Sequence, residues 1–296
     1  MRLPFRLVDV FTERPLAGNQ LCVVPETPAQ MDAGLMQAVA AEIGFSETTF
    51  VLEASLDRYR MRIFTPGTEL PFAGHPTLGT AFVLVSEGGV RSPAVQTVPA
   101  GDVPVEVDVA VGFAWMQQLP AEFGLEFPHP EAAVSATGLG VDDLEPDLPP
   151  KVVSTGLRHL LVGVRNADRV AGARPDQAAV NEVLKQAGAD GLYLFAVADG
   201  GAKARFFGSG VGVAEDPATG SAAGPLGAYL AERGVVPASQ SLVVRQGEEV
   251  SRPSELHVVP EREGSKWRVR VGGGVQVVGR GEFDLQDRFF DLRGQG

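Results

Sequence analysis

Two carboxyl side chains lie at junctions between predicted elements, where a carboxyl group could take part in chemistry. Glu47 follows the helix-ending Gly44 in the stretch FSETTFVL, and Asp216 directly precedes Pro217 in the stretch AEDPATGS. A carboxyl group in apolar surroundings has a raised pKa, which suits a general acid or base. The structural alternatives are that Glu47 caps a turn and that Asp216 caps a helix.

Two predicted helix starts supply further polar groups. His75, one of four histidines, follows Gly74 in ELPFAGHPTLGTAFVL, and Ser221 follows Gly220 in AEDPATGSAAGPLGAYL. The unpaired N–H groups of a helix start, at the positive end of the helix dipole, suit a carboxylate ligand. Two such starts facing one another would hold a small acid. The structural alternatives are close packing at the glycines and a hydrogen-bonded core histidine.

The elements that must position these residues occur twice. Apolar spacing predicts one helix that ends at Gly44, before a strand at Thr48–Leu52, and another that ends at Gly188, before a strand at Leu192–Val197. Pro28, after a capping threonine, is the predicted start of the first of these helices. The order of the elements predicts an internal duplication.

The two repeats can be aligned residue by residue. With three inserted residues, the second repeat aligns with Glu69, Pro71, Gly74 and Leu84 through Glu215, Pro217, Gly220 and Leu230. Arg62 and Arg205 are also equivalent, and salt bridges are predicted for this pair. The repeats differ where Glu47 aligns with Gly191 and Asp216 with Leu70. Glu215 is therefore interpreted as structural, and the chemistry is expected where the halves differ.

The remaining segments complete a two-domain organisation. Pro120–Pro150, rich in proline and acids, is the predicted crossover between domains at 1–119 and 120–280, with a last strand at about 281–296 that returns to the first domain. In the β-rich tail, Gly272-Gly273-Gly274 is predicted to be a hairpin turn. Gly208–Gly212 (GSGVG) is predicted to be a plain loop, because the last glycine of a dinucleotide motif is missing.

Composition excludes several classes of function. The formal charge of −12 argues against a nucleic-acid or anionic-membrane surface, and no long apolar run predicts a membrane span. The single cysteine, Cys22, excludes an internal disulfide and a cysteine-based zinc site. His129 and His257 have no acidic or cysteine partner at ligand spacing, so no metal site is predicted. The first residues contain no signal-peptide core, and a cytoplasmic enzyme is expected.

Four motifs, VDVFTERPLAGNQLCVV, FSETTFVL, ELPFAGHPTLGTAFVL and AEDPATGSAAGPLGAYL, together resemble the PhzF-like isomerases of phenazine biosynthesis. The resemblance covers almost the whole chain. It implies the α/β (α+β) diaminopimelate-epimerase-like fold, with two pseudo-symmetric domains, each a curled, mostly antiparallel sheet around a central helix. The central helices would be Pro76–Leu84 and Ala222–Leu230, and a homodimer is expected. The chain departs from the usual motifs at Gln20 and at Gly208-Ser209.

Carried over to this chain, the resemblance implies that Glu47 is the general acid/base and that His75 and Asp216 are the other catalytic residues. The substrate-binding residues would be Gly74, Gly220 and Ser221. Epimerases of this fold use two cysteines at the helix starts, where this chain has His75 and Ser221. A two-thiol mechanism is therefore excluded.

The sequence thus predicts an isomerase that needs no cofactor and moves a proton within a small carboxylate substrate by general acid/base catalysis. Two alternatives stay open at this point. One is a racemase or epimerase of an amino-acid-like compound, with Glu47 and Asp216 acting on opposite faces. The other is a protein that binds a small acid without turnover.

Overall fold

Strands are the commonest secondary structure among the described residues and alternate with six α-helices. The computed structural model describes residues 1–98, 101–198, 200–208 and 214–285. The helices are α1 Ala33–Ile43, α2 Gly74–Ser86, α3 Pro130–Ser135, α4 Ala167–Gly172, α5 Gln177–Ala187 and α6 Gly220–Glu232. None of the helices in these ranges is long and apolar enough to cross a membrane.

The strands fall into two consecutive sets. The first set is β1 Arg2–Val10, β2 Asn19–Val24, β3 Glu47–Ala54, β4 Arg58–Phe64, β5 Glu69–Leu70, β6 Ala94–Val98, β7 Gly101–Asp108 and β8 Phe113–Gln117, and β9 Glu122–Glu126 follows it. The second set is β10 Lys151–Ser154, β11 Arg158–Gly163, β12 Gly191–Ala198, β13 Gly201–Gly208, β14 Glu215–Asp216, β15 Leu242–Gln246, β16 Ser254–Glu263 and β17 Lys266–Asp284.

Strand pairing follows the same rule in both sets. The second strand of each set runs parallel to the third, which is antiparallel to the fourth: β2, β3 and β4 in one set, and β11, β12 and β13 in the other. The fourth strand then pairs antiparallel with a two-residue strand and parallel with the sixth. The pairing therefore repeats in the order that the sequence motifs predict.

A buried helix lies against the strands of each set. Residues 74–84 of α2 and 220–231 of α6 are all buried. Both helices consist almost wholly of small and apolar residues, and a helix that is apolar on every side is stable only inside a core. Glycines let the strands approach: a Cβ at Gly79 would lie 2.6 Å from Leu21, and one at Gly227 would lie 2.4 Å from Val258.

The two outer helices, α1 and α5, end as the sequence predicts, but α1 begins later in the chain than predicted. Gly44 and Gly188 close α1 and α5 in the left-handed conformation, with φ of 68° and 60°. The predicted start of α1 at Pro28 is wrong. The Asp32 side chain accepts the backbone N–H of Leu35 and starts the helix at Ala33, whereas Pro28 belongs to a turn closed by its own carbonyl and the N–H of Met31.

The predicted glycine hairpin in the tail is also wrong, because Gly272, Gly273 and Gly274 lie inside β17. The hydrogen-bonded neighbours of β17 are β16, β8 and β1. A Cβ on any of the three glycines would come within about 2.5 Å of Trp115, Phe11 or Thr12. The glycines thus let a long strand pass through a crowded part of the core.

Two strands, β17 and β9, each pair with a strand of the opposite half of the chain. Val275–Asp284 of β17 pairs with β1, and β9, which follows β8, pairs with β10. The domain limits at 119/120 and 280/281 stay predictions. The part of the predicted last strand at 286–296 lies outside the described residues.

Candidate active site

A cavity of about 520 Å³ brings together all six residues that the sequence singled out. Its walls come from both halves of the chain. The six predicted residues in its lining are Glu47, Gly74, His75, Asp216, Gly220 and Ser221. Much of the remaining lining is apolar, including Leu70, Pro71, Leu157, Ala189 and Phe206. The cavity therefore combines a few polar groups with an apolar wall, as small-molecule sites commonly do.

The starts of the two buried helices meet at this cavity. A Cβ on Gly74 would lie 3.0 Å from the backbone nitrogen of Ser221 and 3.1 Å from Gly220, so the two backbones are nearly in contact. Neither Ala73 nor Thr219, the residues that precede the helices, caps them with a side-chain hydrogen bond to a described residue. The first N–H groups and the positive ends of both helix dipoles are thus available to a ligand.

Glu47 opens β3, directly after the turn that ends α1. Its Oε2 lies 3.2 Å from Nε2 of His75, and neither atom forms a hydrogen bond with the residues that the structure describes. Burial raises the pKa of the Glu47 carboxyl well above its usual range, and the negative charge of Asp216 raises this pKa further. A carboxyl group held in this way can exchange a proton with a substrate near neutral pH.

His75 is buried in the first turn of α2 with a side-chain exposure of 4%. Burial lowers the pKa of its imidazole to about 3, against the effect of a hydrogen bond to the backbone of Gln20. The imidazole is therefore neutral at physiological pH. Because Nε2 faces Glu47, the bond to Gln20 comes from Nδ1, which leaves the Nε2 lone pair to accept a proton shared with Glu47.

Asp216 lies in the short strand β14, where three side chains donate to its carboxylate. Asn19 Nδ2 lies 2.8 Å from Oδ1, Ser46 Oγ lies 3.4 Å from the same oxygen, and the hydroxyl of Thr219 donates to Oδ2. Burial raises the pKa of Asp216 to about 6, although these donors lower it. Thr219 is thus turned toward Asp216 and not toward the helix start that it precedes.

The neighbouring acid, Glu215, has a different role. It forms a two-bond ion pair with Arg205, at 2.7 and 2.8 Å, and Glu69 forms the equivalent pair with Arg62 at 2.6 Å. This repetition agrees with the structural interpretation of Glu215. It separates the two adjacent acids, because Asp216 lines the cavity and Glu215 does not.

Three residues at this site did not stand out in the sequence. Asn19, in the first half, is fully buried, and its side-chain amide donates to Asp216 and to the carbonyl of Ala218 in the second half. Gln246 is also fully buried and donates to the Asp216 carbonyl at 2.7 Å. His159 lines the cavity.

Other candidate residues lie apart from this chemistry. Cys22 is buried, and burial raises the pKa of its thiol to about 12. His129 is exposed at the surface, and the ring of His257 lies edge to face with aromatic rings. Across the described ranges, no group of three or more histidine, cysteine, aspartate or glutamate side chains is arranged to hold a metal ion. The backbone of Gln20 forms a hydrogen bond with His75. Ser209–Gly212 lie outside the described residues.

Comparison with known proteins identifies the fold and then the family. A probable proline racemase from Agrobacterium radiobacter superimposes with a TM-score of 0.69 over 96% of this chain and 93% of that protein, at 14% identity. The chain thus has a diaminopimelate-epimerase-like fold. A structure from Pseudomonas aeruginosa named as a predicted epimerase superimposes with a TM-score of 0.86 at 37% identity, over 96% of this chain and all of that one.

Sequence similarity extends over nearly the same range. The profile of the phenazine biosynthesis-like protein family matches residues 8–281. The trans-2,3-dihydro-3-hydroxyanthranilate isomerase of Pseudomonas aeruginosa is 35% identical over 96% of this chain and 98% of its own length. The chain therefore belongs to the phenazine biosynthesis-like family and is an isomerase.

Proposed function

We propose that the chain is a cofactor-independent isomerase that moves a proton from one carbon to another within a small carboxylic acid. The observation that carries this proposal is the Glu47 carboxyl group. It is buried beside two uncapped helix starts, and its Oε2 lies 3.2 Å from His75 but forms no hydrogen bond with the described residues. A buried acid in such a place is suited to proton transfer, and the helix starts are suited to the charge of a carboxylate.

The substrate carboxylate would lie between the two helix starts. Gly74, Gly220 and Ser221 supply backbone N–H groups there, and a glycine at position 74 allows the two backbones to approach. This placement would hold the carbon skeleton against the apolar wall of the cavity. It would also bring a carbon atom next to the carboxylate within reach of Glu47.

The proton transfer would proceed in two steps. In the first, ionised Glu47 takes a proton from carbon, the C–H bond breaks, and its electron pair is delocalised over the substrate. In the second, Glu47 returns the proton to a different carbon, where a new C–H bond forms. His75 would accept the hydrogen bond of protonated Glu47, and Asp216 would accept one from a polar group of the substrate. General acid/base groups typically contribute about 10²–10⁴-fold to such rates.

Replacing Glu47 tests this assignment. The first compound to assay is trans-2,3-dihydro-3-hydroxyanthranilate, because it is the substrate in the name of the Pseudomonas aeruginosa relative. Glu47→Gln should lower kcat by about 10²–10⁴-fold. Glu53→Gln, on the same strand at an exposed ion pair with Arg60, should keep full activity. Full activity of Glu47→Gln on a verified substrate would show that the assigned base is wrong.

A second candidate activity is epimerisation, which Asp216 favours. It is a second buried carboxyl group in the cavity with a pKa raised to about 6, and an epimerase needs an acid/base on each face of a carbon. Turnover in D₂O followed by NMR separates the two. Deuterium at the original stereocentre indicates epimerisation, and deuterium at a different carbon indicates isomerisation. Binding without any exchange would indicate a protein that binds an acid without turnover.

We also propose a homodimer in the cytoplasm, as expected from the resemblance and from the sequence. Light scattering coupled to gel filtration measures the mass directly, and a value near 31.2 kDa, the mass of one chain, would contradict the dimer.

A further inference from the structure

His159 is a buried imidazole in the candidate active site that forms no hydrogen bond with the described residues. It lies in β11, is 1% exposed and lines the same cavity as Glu47 and Asp216. Neither Nδ1 nor Nε2 forms a hydrogen bond with any part of the chain that the structure describes. Buried polar groups in native proteins nearly always have a partner, so a group outside the protein is expected to provide one.

The duplicated strands explain where this side chain is directed. His159 pairs with Gly191 on the neighbouring parallel strand, as Leu21 pairs with Glu47 in the first half. Paired residues on adjacent strands project to the same face of a sheet. Each half therefore has one polar side chain at this pair of positions: the carboxyl of Glu47 on β3 in the first half, and the imidazole of His159 on β11 in the second.

The space beside His159 is shaped by an aromatic ring. The Phe206 ring lies edge to face with the imidazole, with ring centres 5.6 Å apart. A Cβ on Gly191 would lie 2.3 Å from that ring, so the absence of a side chain at 191 admits Phe206. One wall of the cavity thus offers an apolar ring next to an imidazole whose two nitrogens form no hydrogen bond with the described residues.

The imidazole is neutral under physiological conditions. Burial lowers the pKa of His159 to about 4, although the charge of Asp190 acts in the opposite direction. A neutral imidazole has one N–H donor and one nitrogen acceptor. Both of its nitrogens can pair with a hydroxyl or amino group, whereas a second carboxylate, which can only accept, would pair with the N–H alone and leave the acceptor nitrogen without a partner.

We propose that His159 is a specificity-determining residue that hydrogen-bonds a hydroxyl or amino substituent of the substrate, at a distance from the carboxylate held by the helix starts. The inference rests on the proposed function, since it assumes a small acid in this cavity. It restricts the substrate class to acids with an apolar carbon skeleton, placed against Phe206, and at least one neutral hydrogen-bonding substituent.

Calorimetric titration with two probe acids tests the inference. The probes are 3-hydroxyanthranilate, which carries an amino and a hydroxyl group, and benzoate, which carries neither. The preference is the ratio of the benzoate Kd to the 3-hydroxyanthranilate Kd. We expect a preference of at least about tenfold for the wild type, the value of one net hydrogen bond. His159→Leu, which installs the residue of the first half, should lower the preference about tenfold without changing the benzoate Kd.

Two further variants separate specificity from folding. His159→Gln, which keeps a donor and an acceptor, should restore part of the preference, and His129→Leu, at the exposed surface, should not change it. An unchanged preference in His159→Leu would overturn the inference and leave the proposed function intact. Equal weakening of both acids, together with a lower Tm, would indicate a purely structural role and would also overturn it. If the wild type binds neither acid, the proposed carboxylate site is wrong and the inference is overturned with it.

Discussion

The two buried carboxyl groups of the site differ in what surrounds them. Asp216 accepts hydrogen bonds from Asn19, Ser46 and Thr219, whereas Oε2 of Glu47 lies close to His75 and has no hydrogen bond with the described residues. Donors stabilise an ionised carboxylate, so Asp216 ionises first and its charge then holds the proton on Glu47. The same two residues break the symmetry of the duplicated chain. Asp216 is thus expected to carry the negative charge, and Glu47 to be the group that gains and loses a proton.

This assignment predicts the pH dependence of turnover. Glu47 must be ionised to take a proton from carbon, so kcat/KM should rise with pH through the raised pKa of Glu47. Asp216→Asn removes the nearby negative charge. The pKa of Glu47 should then fall, and the rising limb of kcat/KM should move to lower pH, even though the variant turns over more slowly.

The measurement is a pH profile of kcat/KM, supported by NMR titration of ¹³C-labelled glutamate carboxyl groups, which does not require activity. Asp168→Asn, in the exposed first turn of α4, is the control and should leave the profile in place. A limb that stays at the same pH in Asp216→Asn would contradict the electrostatic coupling between the two acids.

At the scale of elements, the site depends on two helix starts that nearly touch. A Cβ on Gly74 would lie 3.0–3.1 Å from three backbone atoms of Gly220 and Ser221. A flexible side chain could change its rotamer to relieve such a contact, but backbone atoms cannot. Gly74→Ala should therefore separate the two starts by a few tenths of an ångström. Because misplacing binding groups by about 1 Å can cost 10²-fold, we expect kcat/KM to fall by about 10–100-fold. The expected loss of stability is about 1–3 kcal/mol.

A matched variant tests whether position matters or only the loss of a glycine. Gly172 ends α4, and a Cβ there would meet no described atom within 4 Å. Gly172→Ala should leave kcat/KM unchanged and should not lower the Tm. Kinetics well below the Tm of Gly74→Ala separate activity from stability. Equal activity in Gly74→Ala and Gly172→Ala would mean that the close approach of the helices does not matter.

Local patterns were enough to predict some elements and misleading for others. The left-handed glycines that end α1 and α5 were predicted because a helix end is a local feature. The hairpin predicted at Gly272-Gly273-Gly274 was wrong because those glycines are required by distant neighbours, Trp115, Phe11 and Thr12. A glycine triplet looks the same in the sequence whether it turns the chain or admits another segment.

The same distinction applies to the site residues. Glu47, His75 and Asp216 stood out because the repeats place them at element junctions, and the structure brings them into one cavity. Asn19 and Gln246 gain their meaning only from hydrogen bonds to Asp216, which is distant in the sequence. His159 lies within an apolar strand and becomes notable only because burial leaves both nitrogens without a described partner. A single sequence carries no signal for such contacts.

At the scale of the whole molecule, the cavity exists because segments of each half are held against the other. β17 pairs with both β16 and β1, β9 pairs with β10, and Asn19 reaches across to Asp216. A largely buried ion pair adds a further link. Arg252 donates to the Asp9 carboxylate and to the carbonyls of Ala17 and Gly18. The position of Glu47 relative to Asp216 thus depends on contacts between distant parts of the chain.

Arg252→Leu tests the strength of this link. The side chains of Arg252 and Asp9 are only 17% and 3% exposed, so removal of the arginine leaves a buried carboxylate without its charged partner. Breaking a buried pair in this way typically costs about 3–5 kcal/mol. We expect urea denaturation to give a free energy of unfolding about 3 kcal/mol lower than that of the wild type.

The control removes an arginine whose ion pair is exposed. Arg245 lies 3.6 Å from Glu255, with both side chains more than half exposed, and Arg245→Leu should change the free energy of unfolding by no more than about 1 kcal/mol. Asp9→Asn in the Arg252→Leu background should recover part of the loss, because it removes the stranded charge. Similar small losses in both single variants would contradict the role of Arg252, since the halves would then be held by strand pairing and packing alone.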